Sequence, residues 1–571
     1  LWRHLVELAR ELDGFPRYLA RHPGGMVISS RPLADLVPVQ PAAMEGRYIC
    51  QWDKDSVQDA AFIKIDFLAL GALSQVQECQ VLIQERHGLK IDLSRIDHDD
   101  PEVYRMLWRG DTIGIFQVES AAQIQTIGRL KPSNLVDMAI EVALVRPGVG
   151  ATHSTHAYLA RRAGKEPVTY DHPLEQRALE RTLGAIIFQD QVNQMAMDVA
   201  GFSGDQADQL RRAFSRRNNE ALLRTYWERF RDGAAARGVS EEAAKKIFGK
   251  FNGQYMFPES HAYAFGVTAY QASWLKRYYP LEFYVAIFNQ QPMGFYNLET
   301  LKEDGRRHGV KTLGPDVNIS QEKCTIEEDC LRLGLLNVRS VGKSAAEKIV
   351  QEREANGPFR SLADFMDRAR AGSGYRTLGG LLREAMENLA EAGALDSFGH
   401  DRRMLRWEIG LRYRPPSIQL ALPLPVEQDL APLPELSPWE RMAGEYRTMS
   451  LYPNGHMMAH LRPTLPRGVI TSLQVQSLKD GVEVVIAGLV IRRQRPGTAS
   501  GVVFLTLEDE FGHTPCVVWP QVYRRYRMRL KEPVILARGA ISRRDGAMNV
   551  VVQHIEAVKT VGNPPKSKDW G

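Results

Sequence analysis

In the run Ile63-Lys64-Ile65-Asp66, strand alternation puts Lys64 and Asp66 on one face and the two isoleucines on the other, in a core. A carboxylate at a strand end beside a cation is where a metal-assisted phosphoryl-transfer site can place a ligand. The same Asp66 can instead cap a helix beginning near Phe67. Leu210-Arg211-Arg212-Ala213-Phe214-Ser215-Arg216-Arg217 groups guanidinium pairs that stay charged and donate bidentately, as triphosphate oxygens require. A solvated helix face would need no such ligand. Ser340-Val341-Gly342-Lys343 lies ahead of the small pair Ala345-Ala346. Amides opening a helix there can hold a phosphate beside the charge of Lys343, or the run is an ordinary helical hairpin. Phe504, Trp519, Tyr523 and Tyr526 stand among Arg524, Arg525, Arg527 and Arg529. That mixture suits stacking of single-stranded bases with phosphate pairing, although Phe504 and Trp519 can equally be core residues. His261 reads as a structural residue rather than a catalyst.

These residues need elements to hold them. Residues 1–70 read as α/β: a polar helix over 1–21, a strand at Met26-Val27-Ile28-Ser29 and a second around Ile63 to Asp66. From 71 to about 290, apolar residues recur at helical spacing, punctuated by Arg146-Pro147-Gly148, Phe257-Pro258 and Tyr279-Pro280. Leu335 to Val350 reads as two short helices about a tight hairpin, with Ser340 where such hairpins usually carry a second glycine. Residues 414–438 hold seven prolines and read as an extended linker. Beyond 468 the period shortens to that of strands, and five β runs in roughly ninety residues suit an oligonucleotide-binding barrel.

The chain has 571 residues, about four units at roughly 150 residues each. With 44% hydrophobic and 25% charged residues it is globular in composition, which excludes long disorder and collagen-like repeats. No apolar run approaches the roughly 18 residues of a membrane span, and five cysteines without a CxxC pair argue against a disulfide framework or zinc ribbon. A reduced, cytoplasmic protein is expected. The net charge of +5 names no partner, but its distribution is local: seven arginines against three acids over 209–232, and eight Lys/Arg against two acids over 521–548. Such stretches favour polyanion contacts at particular surfaces.

In this order the segments resemble the C-family bacterial DNA polymerases, the polymerase III alpha family. The resemblance runs through His22-Pro23-Gly24-Gly25-Met26-Val27-Ile28, Ile63 to Leu70, Gly114-Ile115-Phe116-Gln117-Val118-Glu119-Ser120 and Ala143-Leu144-Val145-Arg146-Pro147-Gly148. It continues through Gly184 to Val192, Leu210-Arg211-Arg212-Ala213, Ser260 to Phe265 and Trp274-Leu275-Lys276. Phe257 to His261 and Asn289-Gln290-Gln291-Pro292-Met293-Gly294-Phe295-Tyr296 look closest to the error-prone branch. The replicative branch and a non-enzymatic DNA-binding protein are the alternatives.

The resemblance implies a multidomain α+β fold. Residues 1–70 would be the distal half of a palm, 71–320 mainly helical fingers, and 321–413 a helix-hairpin-helix duplex-binding region. Residues 414–467 would be a proline-rich linker, 468–560 an OB-type barrel and 561–571 a tail. It implies template-directed nucleotidyl transfer from dNTP to a primer 3′-hydroxyl, in error-prone synthesis across damage. The family holds two Mg²⁺ ions on palm carboxylates. Asp66 matches one ligand, with Lys64 beside it, while the others belong to an Asp-x-Asp that this sequence does not carry in the matching place; Asp53-Lys54-Asp55 has the spacing only. The chain alone is therefore expected to be inactive. Arg146, Arg211 and Arg212 would face nucleotide, and Val341, Gly342, Lys343, Arg524, Arg525 and Arg527 would face DNA. Gln419-Leu420-Ala421-Leu422-Pro423 occupies the place of a sliding-clamp peptide, with Pro423 where a bulky apolar residue is usual. The error-prone branch further implies a Y-family-like mutagenesis accessory protein.

Overall fold

The computed structural model describes residues 2–12, 25–42, 46–66, 70–145, 151–214, 220–251, 257–294, 296–371, 382–413, 433–495, 501–544, 547–560 and 568–570. Two compact units divide at Gly71 and Ala72.

In the first unit, β1 (Gly25–Ile28) pairs antiparallel with the later β4 (Ile63–Asp66), setting Gly25 opposite Asp66 and Val27 opposite Lys64. Between them β2 (Val39–Pro41) pairs with β3 (Tyr48–Cys50). The opening helix spans Trp2–Glu11, shorter than the sequence suggests. Ile63 and Ile65 were expected to be buried, yet they are exposed, as are Met26 and Ile28. A two-stranded ribbon has too little area to cover its own faces.

The second unit opens with the helix Gly71–His87. One apolar core runs from Val76 to Leu451 without a break near residue 320, so the finger-like helices and the hairpin region share it. A satellite core gathers residues between Ala178 and Phe251. The helices Leu135–Leu144 and Glu259–Tyr278 cross closely. A Cβ on Gly266 would lie 2.9 Å from the Ala139 nitrogen, so only glycine permits that approach. A small sheet of β5 (Lys311–Leu313), β6 (Thr325–Glu327) and β7 (Cys330–Arg332) leads into the hairpin.

After the short β8 (Val469–Ile470) comes the barrel, built from β9 (Glu483–Gln494), β10 (Val503–Glu508), β11 (His513–Val518), β12 (Val534–Arg544) and β13 (Ala547–Ala557). It closes in the order β9, β10, β11, β13, β12 and back to β9, with β11 and β13 parallel. Inward Val484, Ile486, Leu505, Cys516, Val518 and Ile555 fill it. At Gly539 the register shifts, and a Cβ there would meet the Val551 carbonyl at 2.2 Å. A last strand, β14 (Lys568–Trp570), pairs with β9.

Part of the span read as linker is ordered. Pro438–Met449 and Met457–Leu461 are helices whose Met442, Tyr446, Met457 and Met458 pack on the outward Leu489, Ile491 and Leu536 of the barrel. Only the stretch before 433 holds the dense prolines, and 414–432 lie outside the described residues.

The helix Leu298–Arg307 ties these parts together with buried charge. Lys302 donates to Glu299, to Glu303 and to the Tyr452 and Gly455 carbonyls, and Tyr446 donates to Glu299. Thr300 donates to Glu508 of the barrel. One turn on, Lys276 contacts Asp111 and Asp304 at 2.7 Å each and the Ile113 carbonyl at 3.1 Å. Buried charges persist only when paired in this way. No helix among the described residues is long and apolar enough to cross a membrane.

Candidate nucleic-acid interface

β4 carries Lys64, exposed, and ends at Asp66, whose side chain lies outside the described residues together with 67–69. The next described helix starts at Gly71, and the alternative in which Asp66 caps a helix near Phe67 falls on residues outside the described set. Among the described residues, the one trio with metal-ligand geometry is Asp111, Asp304 and His308. The Lys276 ammonium already lies 2.7 Å from both of its carboxylates, and His308 Nε2 lies 2.8 Å from Asp111. A cation site filled by an ammonium group is a structural ion cluster. The described residues therefore do not complete a divalent-metal centre.

The finger-like region does assemble a site. Gln189, from the run Gly184 to Val192, donates its amide to the Phe257 carbonyl at 2.9 Å and accepts from Arg211 at 3.2 Å. Asp190 accepts from the Glu259 amide at 2.7 Å and so caps the helix that begins Glu259-Ser260-His261. His261 stacks on Phe257 and meets Phe265 edge-on at 4.2 Å, while Phe116 packs on Phe265 at 5.2 Å. Four segments distant in sequence thus converge on one surface: 114–120, 184–192, 210–213 and 257–265. His261 is held by ring contacts, in keeping with a structural role.

Arg211 and Arg212 occupy the helix Gly204–Phe214 and share one carboxylate. Asp208 accepts from Arg211 at 2.7 and 3.1 Å and from Arg212 at 2.7 Å. The hydrogen bond from Arg211, followed by the charge of both arginines, holds the Asp208 carboxyl below its ordinary pKa. The pair is oriented but not buried, since Arg212 keeps 69% of its side chain exposed. Arg146 and the pair Arg216-Arg217 lie outside the described residues.

The hairpin differs from its expected form. Its first helix is one 3-10 turn, Leu335–Asn337, before the full helix Lys343–Asn356. Ser340 takes the turn with φ of +66°, the left-handed conformation that a glycine would adopt without strain. Val341 is buried and its amide bonds the Val338 carbonyl, so its side chain serves the core and cannot touch DNA. Gly342 and Lys343 are exposed at the N-terminus of the long helix, where unpaired amides and the dipole favour an anion.

On the barrel, Arg524, Arg525 and Arg527 project from the helix Pro520–Tyr526 and the turn after it, all exposed, with no carboxylate in ion-pair range among the described residues. Trp519 is 52% exposed, outside the core that its apolar ring allowed. Tyr526 is buried and its hydroxyl meets His554 at 2.6 Å, so it cannot stack a base. Tyr523 is half-buried beneath Arg495, whose guanidinium lies 5.0 Å from the ring centre. The sequence reading missed Arg495 because it sits outside the basic stretch; the signal was Arg492-Arg493-Gln494-Arg495 ending a strand.

A helical region that gathers an oriented arginine pair, a hairpin poised for backbone phosphate and a basic five-stranded barrel together suit a protein that handles nucleic acid. Residues 72–238 match the bacterial DNA polymerase III alpha subunit finger domain, 1–69 the bacterial DNA polymerase III alpha NTPase domain, 309–405 a helix-hairpin-helix motif and 484–558 an OB-fold nucleic acid binding domain. By these matches the chain is similar to the bacterial polymerase III alpha family, and along its length to error-prone DNA polymerases. It is 41% identical over 99% of its length to the error-prone DNA polymerase of Mycolicibacterium paratuberculosis (strain ATCC BAA-968 / K-10), covering 51% of that protein. It is 40% identical to those of Mycobacterium tuberculosis (strain ATCC 25618 / H37Rv), over 99% of the chain and 51% of the relative, and Anaeromyxobacter dehalogenans (strain 2CP-C), over 97% and 50%. The chain spans about half the length of the curated relatives it matches.

Proposed function

We propose that this chain serves template-directed DNA synthesis, the transfer of a nucleotide from dNTP to a primer 3′-hydroxyl, in error-prone synthesis across damage. Identity of about 40% along the whole chain to error-prone DNA polymerases carries this reading. In it, the finger surface with Arg211 and Arg212 receives the triphosphate, with Arg146 contributing from its motif position. Gly342 and Lys343 hold duplex backbone, and Arg524, Arg525 and Arg527 follow template phosphates. Asp66, with Lys64 beside it, belongs to the metal-binding palm, where the family's divalent ions, Mg²⁺ in this reading, assist the transfer.

The reading extends to a sliding clamp held through Gln419 to Pro423, residues outside the described set, to a Y-family-like accessory protein and to a cytoplasmic location. Primer extension tests the reading. The chain alone is expected to leave a primer unextended. Mixed with the amino-terminal half of the Mycobacterium tuberculosis relative, it is expected to extend it. An inert mixture whose components are folded and bind primed DNA would favour the non-enzymatic DNA-binding alternative.

A further inference from the structure

Two motifs singled out by the family resemblance, 114–120 and 289–296, meet each other and the barrel at one point. Within the first, Ile115, Val118 and Glu119 are buried, whereas Phe116 and Gln117 are partly exposed. Gln117 is held at φ of +68°, a conformation that costs a non-glycine residue of order 1–3 kcal/mol and persists only when its surroundings impose it. The Val118 amide closes the turn on the Ile115 carbonyl at 3.3 Å, and just beyond it two contacts converge on the Glu119 carbonyl. Tyr296, from the second motif, donates its hydroxyl to that oxygen at 2.7 Å, and Arg492 of β9 donates to it at 2.9 Å. Arg492 is 3% exposed, and its guanidinium lies 4.9 Å from the centre of the Tyr296 ring.

Arg495 directly follows the end of β9 and is the exposed cation over Tyr523 on the barrel surface read above as following single-stranded template. Arg495 comes three positions after Arg492, roughly 10 Å along an extended chain. The other end of the loop leads to Phe116, then to Phe265 and His261, and by the Phe257 carbonyl and Gln189 to Arg211. The barrel surface and the finger surface are thus joined through packed and hydrogen-bonded groups, with the strained loop between them.

We infer that Arg492 is a positioning residue through which single-stranded DNA on the barrel sets the conformation of the Phe116–Gln117 loop on the finger surface. The inference rests on the reading of the barrel as a single-strand binder. Its physical content is that ligand held by Arg495 and Trp519 restrains β9, and Arg492 passes that restraint to the Glu119 carbonyl, two residues beyond the left-handed Gln117.

Hydrogen exchange on the full 571-residue chain tests it, with and without a saturating oligothymidylate probe. In the unsubstituted chain the oligonucleotide is expected to slow amide exchange both on the barrel and, several-fold, over 112–120. In Arg492→Gln the barrel response should persist with affinity changed less than about threefold, while 112–120 exchanges faster and no longer responds. Tyr296→Phe keeps the ring under Arg492 and removes only the hydroxyl donor. It should speed exchange of the loop yet retain the response, which guards against an Arg492 variant that fails to fold. A barrel response without any change over 112–120 in the unsubstituted chain overturns the inference and leaves the single-strand reading intact. An equal loop response in Arg492→Gln overturns it as well. Absence of oligonucleotide binding removes that reading and the inference together.

Discussion

Replacing Lys276 by Met keeps most of the side-chain volume and deletes the charge that two acids share. Lys276 is fully buried and lies 2.7 Å from both Asp111 and Asp304, with His308 and Tyr284 completing the cluster. Removing one partner of a buried ion pair costs about 3–5 kcal/mol, because the remaining charge is left without compensation. The pH dependence fixes the sign. Burial is the largest influence and would raise the pKa of Asp304 and of Asp111, but the charge of Lys276, with His308 beside both and Arg307 beside Asp304, offsets it and both carboxyls fall below their ordinary values. Their contribution to stability is present above the unfolded carboxylate pKa and is lost as pH falls through the lower folded values.

Without Lys276, burial and mutual repulsion are opposed only by His308 and Arg307, the folded values rise, and the variant gains relative stability as pH drops from 7 toward 4. His308 adds to this trend. Burial opposes its charge, but Asp111 raises its pKa, so its stabilising imidazolium is present below its ordinary pKa and lost as pH rises through the folded value. Urea unfolding at pH 7.5 and 4.5 measures the effect. Asp304→Asn should destabilise the unsubstituted protein yet recover roughly 1–3 kcal/mol in the Lys276→Met background. A Lys276→Met protein within about 0.5 kcal/mol of the original at pH 7.5 would refute the reasoning. So would Asp304→Asn acting with the same sign in both backgrounds.

Glu141 is buried without a hydrogen-bond partner among the described residues, and burial raises its pKa. Glu141→Gln should stabilise the chain by about 1–3 kcal/mol at pH 7.5. The gain should vanish below the ordinary carboxylate range, where the unfolded side chain is also protonated; equal gains at pH 4 and 7.5 would contradict this. Trp519→Ala should weaken oligothymidylate binding by about 1–3 kcal/mol in fluorescence titration, whereas Tyr526→Phe, which loses the contact to His554, should cost about 1 kcal/mol of stability and leave binding unchanged. Replacing Arg524, Arg525 and Arg527 together by Ala should flatten the plot of log affinity against log salt by roughly 2 units for single strands. An unchanged slope would place the phosphate contacts elsewhere.

Local pattern located most elements. The five β runs read beyond residue 468 are strands, and in β10 Val503, Leu505 and Leu507 are buried while Phe504 and Thr506 are less so. The hairpin was visible as Val341-Gly342-Lys343 before a helical run, but its first helix shrank to a single turn. Leu335 and Val338 are drawn into the shared core, and the turn at Ser340 absorbs the reversal. The finger arginines were legible as residue types. That both lean on Asp208 follows from helical spacing of three and four, which a closer reading of Asp208-Gln209-Leu210-Arg211-Arg212 could have found. Ile63 and Ile65 misled, because alternation shows which residues share a face and not whether anything covers it.

By itself the sequence determined which residue types are present, the period of each segment and the order of motifs that marks the polymerase family, since these depend on neighbours within a few positions along the chain. The tertiary structure alone decided which motifs meet and which charges are buried. Arg492 and the Glu119 carbonyl are 373 positions apart, and Lys276 and Asp111 are 165 apart. The worth of such pairs comes from losing water together, and no local pattern records which distant groups will be desolvated against each other.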